Sequence, residues 1–175
     1  MEIMQTVAGL MALSARTAPK AKGQDYLEIK MISDKKEINQ LADEMINYSE
    51  ESGKKFFKRD AENIRKSGSV LLISLKDSKP AGLNCGACGV SKCSMLQPSE
   101  GSEFAGPLCA WRLIDLGIAL GSAAKTAGIL NADNRIMYSP GVAARRLGLI
   151  QGDIVVAIPI SGEGKNIYFD RPTIS

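Results

Sequence analysis

Histidine is absent from the 175 residues. That absence excludes Ser–His and Cys–His nucleophile pairs, histidine acid–base chemistry and every histidine-ligated metal site. Charge of one sign is also scarce. Lys+Arg 22 against Asp+Glu 19 leaves +3, and the surplus is thin: 14 basic and 12 acidic side chains over 1–84, 7 and 5 over 110–175. With no basic stripe, nucleic acid is not an expected partner. Long uninterrupted apolar runs are missing as well. Residues 1–15 are apolar, yet they carry Glu2 where a signal peptide wants a cation, and Gln5, Thr6 and Gly9 break the run. Leu113–Leu130 is interrupted by Asp115 and Lys125, so no membrane span is expected. A cytoplasmic protein is the expectation. There is no internal repeat and no low-complexity tract. Cysteine, carboxylate, lysine or cofactor chemistry remains.

What is present is an ordinary globular composition, 45% hydrophobic and 23% charged. A chain of this length buries a core without disulfide help, so one domain is expected over 1–175. Ile3, Val7, Leu10 and Met11 recur at helical spacing and predict a first helix over about 2–15. Tyr26–Ile32 alternates as a strand does. Asp34 is placed to cap a helix with Ile38, Leu41, Met45 and Ile46 on one face, ended by Gly53. Lys54-Lys55 reads as a solvated turn, and Asp60 as the cap of a short helix ending near Gly68. Ser69–Leu75 and Asp153–Ile160 are apolar runs of strand length. Trp111–Ile129 reads as a helix whose Gly117, Gly121, Ala124 and Gly128 share one face; tight helix packing, across a dimer, is the expected use, with contact to a flat ligand as the alternative. Arg135–Ser139 reads as a short strand, and Pro140 opens a helix to Leu147. Ile167–Phe169 reads as an edge strand in a loop-like tail, and Asp133, Asn134, Arg135 and Tyr138 form a polar cluster between apolar elements. Alternating elements predict a layered α+β domain. Residues 76–110 differ: rich in Gly, Pro and Ser, they read as an irregular cysteine-rich insertion that something besides packing must order.

All four cysteines lie in that insertion, Cys85, Cys88, Cys93 and Cys109, spaced C-x2-C-x4-C-x15-C. Disulfides or a redox dithiol are one reading, but nothing is secretory, and a Cys85–Cys88 dithiol leaves two cysteines unexplained. Structural zinc is a second; it usually pairs two Cys-x-x-Cys knuckles, and here the second half is one distant cysteine. An iron–sulfur cluster is the third and fits best. A cubane wants one thiolate per iron, three from a compact loop and one from a remote point. Gly86 and Gly89 allow turns that aim backbone N–H groups at anionic sulfur. Cys109 precedes the helix starting near Trp111, whose positive end would face the cluster. Trp111 would restrict water there.

The stretch Asn84-Cys-Gly-Ala-Cys-Gly-Val-Ser-Lys-Cys93 with a later lone cysteine resembles the 4Fe–4S domain of electron-transport-complex B subunits and corrinoid iron–sulfur proteins, over residues 84–109. The whole chain resembles a family of short ferredoxin-domain proteins, through Ala15–Gly23, Gly82–Gly86, Asp115–Ser122, Asp133–Tyr138 and Gly164–Arg171. This resemblance implies a 4Fe–4S cluster on the four cysteines and assigns no reaction.

A fainter resemblance is to nitroreductase-type flavoproteins. Arg16-Thr-Ala-Pro-Lys20 after a helix is similar to their Ala-Pro-Ser turn, and Asp115-Leu-Gly-Ile-Ala and Leu147-Gly-Leu with the following strand are similar to the later half of that fold. It implies FMN at a homodimer interface, with Arg16, Lys20, Lys165 and Arg171 as phosphate-binding residues. Lys20 replaces the usual Ser, and the Asn-x-Gln-Pro continuation and doubled N-terminal Arg are missing. Gly162-Glu-Gly-Lys165 is no P-loop, because Asn166 stands where Ser or Thr must bind magnesium. The expectation is a small redox protein that exchanges electrons with a partner protein, coupled to FMN as an oxidoreductase if the flavin frame holds. The alternative is a non-enzymatic interaction module shaped by zinc or a cluster.

Overall fold

A computed structural model describes residues 2–170, with Glu2 as backbone alone. The order is α1 (Glu2–Thr17), β1 (Leu27–Ile32), α2 (Lys35–Ser52), α3 (Phe56–Lys66), β2 (Ser69–Leu75), β3 (Ser99–Glu100), β4 (Ala105–Gly106), α4 (Ala110–Ile129), β5 (Asp133–Asn134), α5 (Ser139–Arg146) and β6 (Ile154–Ser161). Short 3₁₀ turns occupy Ala21–Gly23 and Cys93–Met95.

The main sheet is antiparallel throughout, in the order β1-β2-β6-β5. β2 is central and buried along its whole length, as its unbroken apolar run requires. Its side chains alternate between two cores. Leu71, Ile73 and Leu75 join Ile158 and Ile160 of β6 against α1 and α4. Val70 and Leu72 join Val155 and Ala157 against α2, α3 and α5. The result is three layers, helix–sheet–helix, an α+β fold. Gly141 lets α5 lie flat on β6, since a Cβ there would fall 2.0 Å from the Val155 carbonyl oxygen.

Asp34 caps α2 as expected: Oδ1 accepts from Lys36 N at 2.9 Å and Glu37 N at 3.1 Å. Gly53 ends that helix with φ 72°. Asp60 is not a cap. The stripe Phe57, Asp60, Ala61 and Ile64 faces the core, so α3 starts a turn earlier and Asp60 sits buried mid-helix. There it accepts from Arg59 Nη2 at 2.8 Å and from Ser139 Oγ at 2.6 Å. Lys54 is no free turn residue either, since its Nζ lies 2.6 Å from Glu103 Oε1. The 135–139 strand shrinks to a Met137–Ala157 bridge beside the two-residue β5. Ile167–Phe169 forms no strand; Tyr168 is buried under the sheet end with its hydroxyl 3.0 Å from Ser67 Oγ. Gly117, Gly121 and Gly128 lie on the outer face of α4, and a Cβ at any of them would meet nothing within 4 Å. Within one chain α4 packs on the sheet through Leu116, Ala119, Leu120, Ala123 and Ala127 instead.

Among the described residues no helix is long and apolar enough to cross a membrane.

A candidate iron–sulfur centre

Residues 76–110 leave the sheet at the end of β2 and return to it at the start of α4. Their far part is moored by a half-buried carboxylate. Glu103 Oε1 accepts from Tyr48 OH and Lys54 Nζ at 2.7 and 2.6 Å, and Tyr138 OH donates to Oε2. Phe104 packs edge-on to Tyr138, and Ala105 N donates to Asp153 O at 2.9 Å. The near part is moored by Arg112, which is completely buried in the first turn of α4. Its guanidinium donates to Lys79 O at 2.9 Å, Ala21 O at 3.0 Å, Asp115 Oδ2 at 3.1 Å and Gln24 Oε1, and lies over the Tyr26 ring. Asp115 Oδ1 in turn accepts from Ala21 N at 2.7 Å. The segment is therefore fixed at both ends while its middle stays irregular.

That middle folds around one cavity, bordered by all four cysteines together with Leu83, Val90 and Trp111. Cys109, sixteen positions beyond Cys93, reaches it because α4 begins there: Cys109 is the residue before the first helical turn, and its carbonyl accepts from Arg112 N at 2.9 Å. The four thiols are unpaired in disulfides. They differ in exposure: Cys109 is 6% exposed against Ala81 and Leu96, whereas Cys85 lies open. Gly86 and Gly89, at φ 76° and 88°, make the turns between Cys85 and Cys93. Asn84 closes that loop reciprocally. Its N–H donates to Cys93 Sγ at 3.4 Å, and its Oδ1 accepts from Cys93 N at 2.8 Å. Trp111 Nε1 donates to Cys85 Sγ at 3.3 Å. The Ala87 N–H and this indole hold the Cys85 thiol below its ordinary pKa.

No carboxylate borders the cavity. Among the described residues no three Cys, Asp or Glu side chains draw together as ligands of a single metal ion. The donor set, four thiols with N–H groups aimed at two of them and a helix N-terminus at a third, fits an anionic iron–sulfur cluster.

The expected flavin residues do not meet within one chain. Arg16 pairs with Asp25 at 2.6 Å and donates to Leu27 O at 2.8 Å. Lys20 folds back on the end of α1, donating to the carbonyls of Arg16 and Ala18 at 2.7 Å. Lys165 pairs with Asp170 at 2.8 Å and borders a groove with Lys35, Arg65 and Lys66. That groove lies at the Ser69 end of the sheet and Arg16 at the Leu75 end, about 20 Å away for six strand residues. Arg171 lies outside the described residues. The polar cluster disperses too: Arg135 donates to Tyr168 O at 3.2 Å, and Tyr138 turns to Glu103. Arg112 and Glu103 were not apparent from sequence. A signal for Arg112 exists in hindsight, a cation three positions before Asp115 in an apolar helix; none exists for Glu103.

Residues 105–171 match a protein family described as "uncharacterized protein containing a ferredoxin domain". A protein of Archaeoglobus fulgidus, itself described as uncharacterized, is 48% identical over 172 residues, spanning 97% of this chain and 92% of that one. The chain belongs to this ferredoxin-domain family. The family match includes Cys109 and stops short of the other three cysteines. Among solved structures, a nitroreductase with bound FMN from Desulfitobacterium hafniense superimposes with a TM-score of 0.59 at 12% identity, covering 91% of this chain and 78% of that one. An NADPH:FMN oxidoreductase of Vibrio harveyi, in complex with NAD+, gives 0.57 at 10% identity, covering 92% and 60%. The ferredoxin-domain protein thus has a nitroreductase-like fold, with a cysteine cage between β2 and α4.

Proposed function

We propose that this protein binds one 4Fe–4S cluster through Cys85, Cys88, Cys93 and Cys109 and acts as a one-electron carrier for a partner redox protein. The observation that carries the reading is that two sequence-distant segments bring four free thiols to one cavity. Three thiols from one compact loop and one from a separate helix start, rather than two Cys-x-x-Cys knuckles, favour the cluster over zinc. The bound cluster supplies a reversible one-electron couple. The chain's own groups hold it: the Trp111 indole and the Asn84 N–H lean on anionic sulfur, and buried Cys109 faces the protein interior. Protein purified without oxygen is expected to carry about four irons and as many labile sulfides per chain. It should show a broad visible band that bleaches with dithionite. A colourless protein containing zinc would support the interaction-module alternative instead.

A second reading adds FMN, favoured by the nitroreductase-like fold and by the cationic groove holding Lys165, Lys35, Arg65 and Lys66. Because Arg16 and Lys20 lie at the other end of the sheet, this reading requires a homodimer in which the second copy carries them to that groove. Yellow flavin released on denaturing a dimeric preparation is its expected signature.

A further inference from the structure

The cluster cage is lopsided in a way that defines a docking face. On the interior side Cys109 is sealed, whereas on the other side Cys85 is open; Leu83 and Trp111, which border the same cavity, are 56% and 39% exposed, and Met95, in the turn that begins at Cys93, is 57% exposed. Large apolar side chains left this open, around the cavity and in the turn that follows it, mark a contact surface. The cysteine-bearing loop itself carries charge of one sign. From Ser78 to Ser99 there is no acidic residue, and the two charged ones are Lys79 and Lys92. Lys22 joins them, its Nζ 3.3 Å from the carbonyl of Ala81, which also borders the cavity. All three lysines are exposed, and none makes an ion pair among the described residues. By contrast Arg16, Lys54, Arg112 and Arg146 are each tied to a carboxylate.

Resting on the cluster reading, we propose that this face, an apolar centre of Leu83, Met95 and Trp111 rimmed by Lys22, Lys79 and Lys92, docks an acidic one-electron redox protein. Docking brings the partner's reduced centre to the open Cys85 edge. One electron passes, the partner is oxidised by one equivalent and the cluster reduced by one, and no bond or proton changes hands. A second copy of this chain is the poorer occupant, because face-to-face pairing sets lysines against lysines. A cubane with four thiolates carries two negative charges in its oxidised form, so three lysines leave a positive surplus for a partner.

Stopped-flow reduction of the cluster-loaded protein by reduced flavodoxin, an acidic one-electron donor, tests this. The second-order rate is expected to fall about tenfold or more from low to high ionic strength. Lys22→Glu with Lys79→Glu should cause a similar fall at low salt at unchanged iron content, the rates being compared at equal driving force from each variant's own titrated potential; Lys92→Glu should add to it. Reduction by the methyl viologen radical, a small cation, should not slow in these variants. Rates indifferent to salt and to the lysine changes would overturn the proposal. So would capture by phosphatidylserine vesicles, or burial of Trp111 in a dimer of this chain. A protein without iron would fail the cluster reading itself, a result told apart by metal analysis before any rate is measured.

Discussion

The indole Nε1 of Trp111 donates to the sulfur of Cys85 across 3.3 Å. The bond joins the second residue of α4 to the most exposed cage thiol, and so links the two segments that build the site. A hydrogen bond to a cluster sulfur stabilises negative charge there, and the reduced state carries more of it. Trp111→Phe keeps the ring and removes the donor. The expected outcome is a lower reduction potential with unchanged iron content, read by anaerobic redox titration. An unaltered potential would show that the indole plays no part at the loaded site.

Cys109 is the test of the cage's fourth corner. Cys109→Ala and Cys85→Ala each leave one iron without its thiolate, so both should lower iron per chain to a similar degree. Cys109 sits among Ala81 and Leu96, and alanine there removes one sulfur atom from a small apolar cluster. The metal-free fold should therefore survive, as judged by circular dichroism. Full iron content in Cys109→Ala would move the fourth ligand elsewhere.

How far the sequence could be read follows from range. α2 and β2 are set by local signals, the Asp34 cap with a helical stripe and an unbroken apolar run, and both appear close to their expected bounds. The cysteine spacing likewise names its own site, because each ligand is chemically distinctive. Asp60 misled because the same residue type that caps a helix also makes a buried tertiary bond, here to Ser139, seventy-nine positions away. Glu103 was illegible for a similar reason: its partners Tyr48, Lys54 and Tyr138 come from elements that only folding assembles. The basic residues expected at a flavin phosphate are few and generic, and nothing in their spacing reveals which sheet end each one occupies.

Arg112 and Asp115 form a buried pair, 3.1 Å apart, whose remaining hydrogen bonds tie the Ala21–Gln24 turn and Lys79 to the start of α4. Removing one partner strands the other charge in the interior. Arg112→Met is expected to cost about 3–5 kcal/mol, which at this size is about 6–20 °C in Tm. Arg112→Lys should not rescue, since one ammonium cannot span acceptors spread around a planar fork. The double change Arg112→Met with Asp115→Leu should cost less than the two single changes summed, because no stranded charge is left. Strict additivity in urea denaturation would show that the two side chains act independently.

Tyr168 gives the fold a pH signature at the alkaline end. The residue is 2% exposed and its hydroxyl lies 3.0 Å from Ser67 Oγ. Burial pushes its pKa up to about 12 from 10.0. The folded state thus holds the phenol proton more tightly than the unfolded chain does. The stability tied to the neutral phenol is complete below pH 10 and drains away as pH rises from about 10 to about 12. By linkage the loss is roughly 2–3 kcal/mol. Tyr168→Phe lacks the titrating group. Comparing urea midpoints of the two proteins should therefore give a difference that is constant from pH 7 to 9 and shifts toward the Phe variant above pH 10. A gap that stays constant through pH 11 would mean that the hydroxyl reaches water in the folded protein.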